Sequence, residues 1–173
     1  MDITPAHFLL AARAVSWKLT PELGHMLDDD DFRNEICRAL RPSVSRIHHP
    51  FLLELLSREI DYRQRLWKGL AQDPDDRYEN IYRCAFLLSR LGRPEDVFVL
   101  WKAKHCNMDV GTALGAEYFV GAGLGPTLDF LSASRHPCAD DITSYLKQAF
   151  VNGNEADDLS CWVMEQFRYL WSD

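Results

Sequence analysis

The sequence predicts an all-α protein of about nine helices, built as antiparallel helical hairpins stacked in a short solenoid-like array. Three observations carry that reading. Apolar residues recur every three or four positions in segment after segment, the period of an amphipathic helix. Nowhere is there sustained period-two alternation, the mark of a half-buried strand. In the second half a core-type residue, a glycine, a short linker and an apolar helix recur at Gly92, Gly123 and Gly153, 31 and 30 residues apart. Leu88, Phe119 and Ala149 stand four residues before these glycines, and Leu100, Leu131 and Trp162 stand eight or nine after. Such spacing marks hairpins that bury their apolar faces against their neighbours.

The elements follow in order. Thr4 and Pro5 give a capping side chain and a first-turn proline, after which Phe8, Ala11, Ala12, Val15 and Leu19 share one face. Pro21 to Leu27 reads as a connection with room for a short helical turn. Asp28 to Asp31 load the first turn of a helix carrying Phe32, Ile36, Ala39 and Leu40, ended by Arg41 and Pro42. His49 and Pro50 open the longest helix, with Leu52, Leu56, Ile60, Arg63, Trp67 and Leu70 on one stripe and Glu54/Arg58 and Glu59/Arg63 as i,i+4 pairs. Gln72 to Asp76 break it. Tyr78, Ile81, Tyr82, Ala85 and Leu88 form the next core face, which stops at Gly92. Five further helices are expected at 94–105, 110–120, 126–134, 137–151 and 155–171.

With 173 residues, 47% hydrophobic and 12% aromatic, the chain has enough apolar surface for a core without disulfides or metal, and a single domain over 1–173 is expected. Residues 1–76 are its N-terminal helices and 77–173 its hairpin half. No long apolar run and no basic, apolar leader stand in the sequence, so a soluble, cytoplasmic protein is expected. The five cysteines are odd in number and lack a CxxC pair, which points to reduced, mostly buried thiols. Residues 1–90 hold 13 Lys+Arg against 14 Asp+Glu, whereas residues 91–173 hold 6 against 12. The hairpin half therefore carries most of the net charge of −7, which disfavours nucleic acid as a partner and favours a basic protein. Acidity of this degree also serves solubility alone.

Between Tyr82 and Ala103 the chain reads YRCAFLLSRLGRPEDVFVLWKA. This resembles a tetratricopeptide-type hairpin, in which small and aromatic residues on one helix precede Leu-Gly, an acidic turn and a second amphipathic helix. The spacing of about 31 departs from the family's 34, and Gly121, Gly123 and Gly125 crowd the second junction, so HEAT-like hairpins fit equally. A small, acidic, all-helical chain is also similar in general character to bacterial immunity proteins, a likeness that implies binding and neutralising a toxin.

Local chemistry is sparse. Phe119 to Pro126 contains GxGxG, yet Pro126 stands where a dinucleotide fingerprint needs its third glycine, so a tight helix junction is the expected reading. His105-Cys106 and His136-Pro-Cys138 match no common zinc spacing and read as helix-end groups. His48-His49 reads as a cap. Asp28 to Asp31 lack the glycine and final Glu of a calcium loop and read as a solvated helix start, as do Asp73, Asp75 and Asp76. No cofactor, metal or catalytic residue is expected. Trp101, beside Lys102, Lys104 and His105, is open between a core position and a binding anchor. The last helix has apolar residues on nearly two faces, at Leu159, Trp162, Val163, Phe167, Leu170 and Trp171, more than one packing surface requires.

The expectation is a protein-binding module whose partner-facing residues are Trp101, Asp109, Glu117, Asp129, Asp140, Asp141, Asp157 and Asp158. A helical adaptor for a peptide is the alternative, ahead of an enzyme or a small-ligand protein.

Overall fold

A computed structural model describes residues 3–40, 43–73, 79–151 and 155–171, with side chains of the last helix described from residue 159 onward. Among these residues the chain is all-helical, with ten α-helices, three short 3-10 helices and no strand. It divides into two compact units, Met1–Leu87 and Leu88–Asp173.

The first unit contains α1 (Pro5–Ala14), α2 (Pro21–Met26), α3 (Asp30–Ala39), α4 (His49–Trp67) and most of α5 (Glu79–Arg90). Thr4, Thr20 and Asp29 each accept a hydrogen bond from the backbone N–H three residues on, fixing three helix starts. Pro21–Met26 is thus a complete short helix rather than a connection. α1 ends with Ser16 and Trp17 at φ +54° and +61°, their N–H groups donating to Arg13 O and Ala12 O. This is a Schellman closure with serine where glycine is usual. Burial of the Trp17 ring, 5.3 Å from Phe51 and 4.5 Å from His48, offsets the left-handed strain. His48 Nδ1 in turn accepts from Ser45 N–H at 3.0 Å, which closes the 3-10 turn Arg46–His48; its side chain does not cap α4, as its place before that helix suggests.

α4 buries Phe51, Leu52, Leu55, Leu56 and Ile60 as its pattern requires, but the stripe ends early. Trp67 is 57% and Leu70 71% exposed. The chain leaves helical geometry at Lys68, and Gly69 takes φ +68°, so neither side chain has an element to pack on.

Two charge assignments also change. Glu54 and Arg58 do pair, at 2.7 Å, but Glu59 accepts from Arg33 Nε at 2.6 Å, 26 residues away. Both ends of that pair are buried, at 2% and 1% exposure. Arg33 donates its other two nitrogens to Leu27 O and Asp30 Oδ1, both at 2.8 Å. Asp30 also binds Arg65 at 2.9 Å and is half-buried, so the aspartate run is partly a structural ligand for arginines and not wholly solvated. Asp73 is likewise shielded, 3.8 Å from Arg63; Asp75 and Asp76 lie outside the described residues. The three guanidiniums of Arg33, Arg63 and Arg65 stand 5.4–5.9 Å from the Tyr62 ring centre.

α5 was expected to bury one face. In the structure, of residues 80–89, only Arg83 is not buried. Cys84 meets Cys37 at 3.9 Å between sulfurs, and this contact together with burial pushes the Cys37 thiol well above its ordinary pKa. Such thiols are inert. Asn80 donates to Asn34 at 3.0 Å, placing a polar tie beside the sulfurs.

The second unit runs from the end of α5 through a 3-10 turn, Pro94–Asp96, to α6 (Val97–Lys104), α7 (Met108–Ala113), a 3-10 helix Ala116–Val120, α8 (Leu124–Ala133), α9 (Ala139–Ala149) and α10 (Glu155–Trp171). The helix expected over 110–120 is therefore two elements. Lys104 explains the break, since its ammonium donates to the carbonyls of Gly111 and Leu114 and so closes the α7 C-terminus. Leu88, Leu100, Val110, Phe119, Leu131, Ile142, Leu146 and Leu170 form the core. No helix among the described residues is long and apolar enough to cross a membrane.

Burial raises the Glu59 carboxyl above its ordinary pKa, with the Arg33 charge opposing. A carboxyl raised by folding contributes stability that is present below its unfolded value and lost as pH rises through the folded value. Arg33→Met removes the larger of the two opposing charges, leaving that of Arg63, and should destabilise the protein by about 3–5 kcal/mol near neutral pH. Part of that loss should return on acidification to about pH 5, as Glu59 takes up a proton. Urea unfolding at the two pH values checks this; an equal loss at both would contradict it.

Candidate interaction surface

The chemistry-bearing motifs resolve into structural roles. The glycine-rich segment follows a 3-10 helix and opens α8. Its glycines do different jobs. A Cβ on Gly121 would stand 1.9 Å from Ser89 O, so this glycine lets the backbone press against the end of α5. Gly123 is the N-cap of α8 at φ +95°, a region side chains disfavour, while a Cβ on Gly125 would meet nothing within 4 Å. Gly92, at φ +63°, stops α5 as its position promised; Gly153 lies outside the described residues.

The histidines serve helix ends. His105 caps α6 with its ring nitrogen 2.9 Å from Trp101 O. His136 stacks on Phe98, with ring centres 3.9 Å apart, and accepts from Cys138 N–H at 3.2 Å. Among the described residues no group of three or more His, Cys, Asp or Glu is placed to hold a metal ion.

The residues expected to face a partner separate into three groups. Asp109 in the first turn of α7, Asp129 on α8, and Asp140 and Asp141 in the first turn of α9 are all exposed. The aspartates at the two helix starts also complement the helix dipoles. Trp101 and Glu117 are half-buried. Trp101 is committed to internal packing, with ring centres 4.2 Å from His105, 5.6 Å from Tyr145 and 6.0 Å from Phe119. Glu117 lies near Lys104 and Tyr145: burial lowers the Lys104 pKa and raises that of Tyr145, and the Glu117 charge opposes the first shift and adds to the second. The side chains of Asp157 and Asp158 lie outside the described residues.

The surface that the acidic residues did not announce is on α10. This helix docks through buried Leu170, through Gln166, which accepts from Tyr118 OH at 2.9 Å, and through Trp162, whose ring meets Tyr118 edge-on at 4.9 Å. Beyond that face Met164, Phe167 and Tyr169 remain exposed, at 56%, 46% and 50%. Met164 and Phe167 are one helical turn apart, and Phe167 stacks on Trp171. The two apolar faces in the sequence are therefore one docked and one open. Beside α10 lies a groove of about 390 Å³, walled by Ser89, Glu117, Val120, Leu159, Trp162 and Val163.

Comparison with protein-family models, with curated proteins and with solved structures finds no match to this chain.

The glycine assignments separate by substitution. Gly121→Ala should cost roughly 1–3 kcal/mol or more, because the clash is with backbone that cannot turn aside. Gly125→Ala should cost less, because its Cβ would meet nothing within 4 Å beyond its chain neighbours and only crowding against the following Pro126 opposes it. Thermal unfolding of the two variants decides; equal losses would overturn the distinction.

Proposed function

We propose that the chain is a protein-binding module whose C-terminal half receives a basic protein, an acidic inhibitor of the immunity type with a toxin as its partner. The observation that carries this reading is the exposed apolar pair on one face of α10, Met164 and Phe167, in the half of the chain where acidic residues outnumber basic ones 12 to 6. Exposed aromatic and methionine side chains are the residues that hold interfaces once water is excluded. Exposed carboxylates at Asp109, Asp129, Asp140 and Asp141 supply a field that draws a basic partner in and orients it. Inhibition follows by steric cover of the partner's working surface.

A second reading, a helical adaptor for a peptide, is favoured by the groove beside α10, whose walls are mostly apolar with one carboxylate, Glu117, and one guanidinium, Arg90. It shares the surface and differs in the size of what lands there.

The two kinds of residue should act on different rate constants. Against the purified partner, Asp140→Lys with Asp141→Lys should slow association roughly tenfold and leave dissociation nearly unchanged. Phe167→Ala should speed dissociation roughly tenfold with little change in association. Surface plasmon resonance at low and high ionic strength measures both. Binding that ignores salt and the aspartate reversals would refute the steering role, and a silent Phe167→Ala would refute the anchor.

A further inference from the structure

The open face of α10 carries an ordered pattern of charge beside its apolar pair. Met164 is followed by Glu165 and Phe167 by Arg168, and all four are exposed. Among the described residues no ion pair holds Glu165 or Arg168, although they stand three apart on one helix. At 3.6 residues per turn, Met164 lies at the middle of the open face, with Phe167 about 60° to one side and Arg168 and Glu165 about 40° and 100° to the other. The docked residues Trp162, Gln166 and Leu170 lie on the far side. When two copies of a helix pack antiparallel about a two-fold axis, each contact occurs twice and each flank meets the same flank of the other copy. The midpoint between Met164 and Phe167 and that between Glu165 and Arg168 are one residue apart, about 1.5 Å along the axis. One antiparallel register therefore seats methionine on phenylalanine and carboxylate on guanidinium together. A parallel pair would instead set Glu165 against Glu165 and Arg168 against Arg168.

We propose that this face of α10 packs antiparallel on a second copy of the chain, with Met164 against Phe167 of the second copy and Glu165 against its Arg168, each contact formed twice. The apolar contact excludes water, and the two charge pairs fix direction and register more than they add affinity. The interface is small, and a net charge of −7 repels a second copy at long range, so the dimer is weak, populated at concentrations on the order of 0.1 mM. The pairing goes beyond the basic-partner reading and uses the same face. A tighter partner displaces the second copy from it.

Sedimentation equilibrium of the full chain alone, from about 10 µM to about 1 mM, reads the pairing. The wild-type chain should follow a monomer–dimer equilibrium. Glu165→Arg or Arg168→Glu alone should weaken the dimer about tenfold, because each sets like charges together at two places in the interface. The two substitutions combined should restore it to within about twofold, since the swapped charges again oppose one another. Both residues are exposed, and the double variant has the charge composition of the wild type, so a loss of fold does not mimic this rescue. A monomer at every concentration, a dimer indifferent to the single reversals, or a double variant as weak as the singles overturns the proposal. Growth past the dimer overturns it too, because a two-fold interface closes on itself. Only the chain alone is read, so failure here leaves the basic-partner reading standing, and that reading is tested on Asp140, Asp141 and Phe167 against the partner itself.

Discussion

The packing depends on the burial of α5, which begins in the first unit and ends in the second. A helix covered on nearly all sides cannot be amphipathic in the ordinary way, and its sequence shows the compromise. Small residues, Cys84, Ala85 and Ser89, let neighbours approach, and large ones, Ile81, Phe86, Leu87 and Leu88, fill the space between. Within the first unit its sulfur and amide groups meet α3 at Cys37 and Asn34. Within the second, the Ser89 carbonyl sets how close the 116–123 segment can come, and Gly121 is the residue that permits it. The Gly92 stop and the Leu91 anchor then follow from ending such a helix inside a core.

Local signals were legible. The Thr4 cap, the acidic first turn of α3, the glycine stop at Gly92 and the position of α10 follow from chemistry within three or four residues, where sequence neighbours are also spatial neighbours; the Thr20 cap is as local, although Pro21 to Leu27 reads as a connection. The all-helical class follows from the same source.

Long-range polar choices were not legible. Glu59 had an arginine four residues away at Arg63, the partner that helix geometry offers, yet it hydrogen-bonds to Arg33 from another helix. Asp30 stood in a run that looks like a solvated helix start, and only the fold brings Arg65 to it. Lys104 is a third example: nothing in its neighbourhood announces that it will close the end of the next helix and split the 110–120 segment. Each case turns on a charged group whose partner is fixed by tertiary packing. Trp67 and Leu70 show the opposite error, in which a correct periodicity outlasts the elements it packs against.

At the surface Asp109, Asp129, Asp140 and Asp141 are exposed, whereas Trp101, open in the sequence between a core position and a binding anchor, is held inward by the aromatic cluster of Phe119 and Tyr145. The more useful signal was the excess of apolar residues on the last helix, which one docked face cannot absorb. That excess makes α10 the centre of the functional account, with the carboxylates as its periphery. Hydrogen–deuterium exchange of the chain alone and with the proposed basic partner tests this most directly. The account predicts strong new protection across residues 159–171, with weaker protection at the starts of α7 and α9. Protection confined to the first unit, with α10 exchanging as in the free chain, would contradict it.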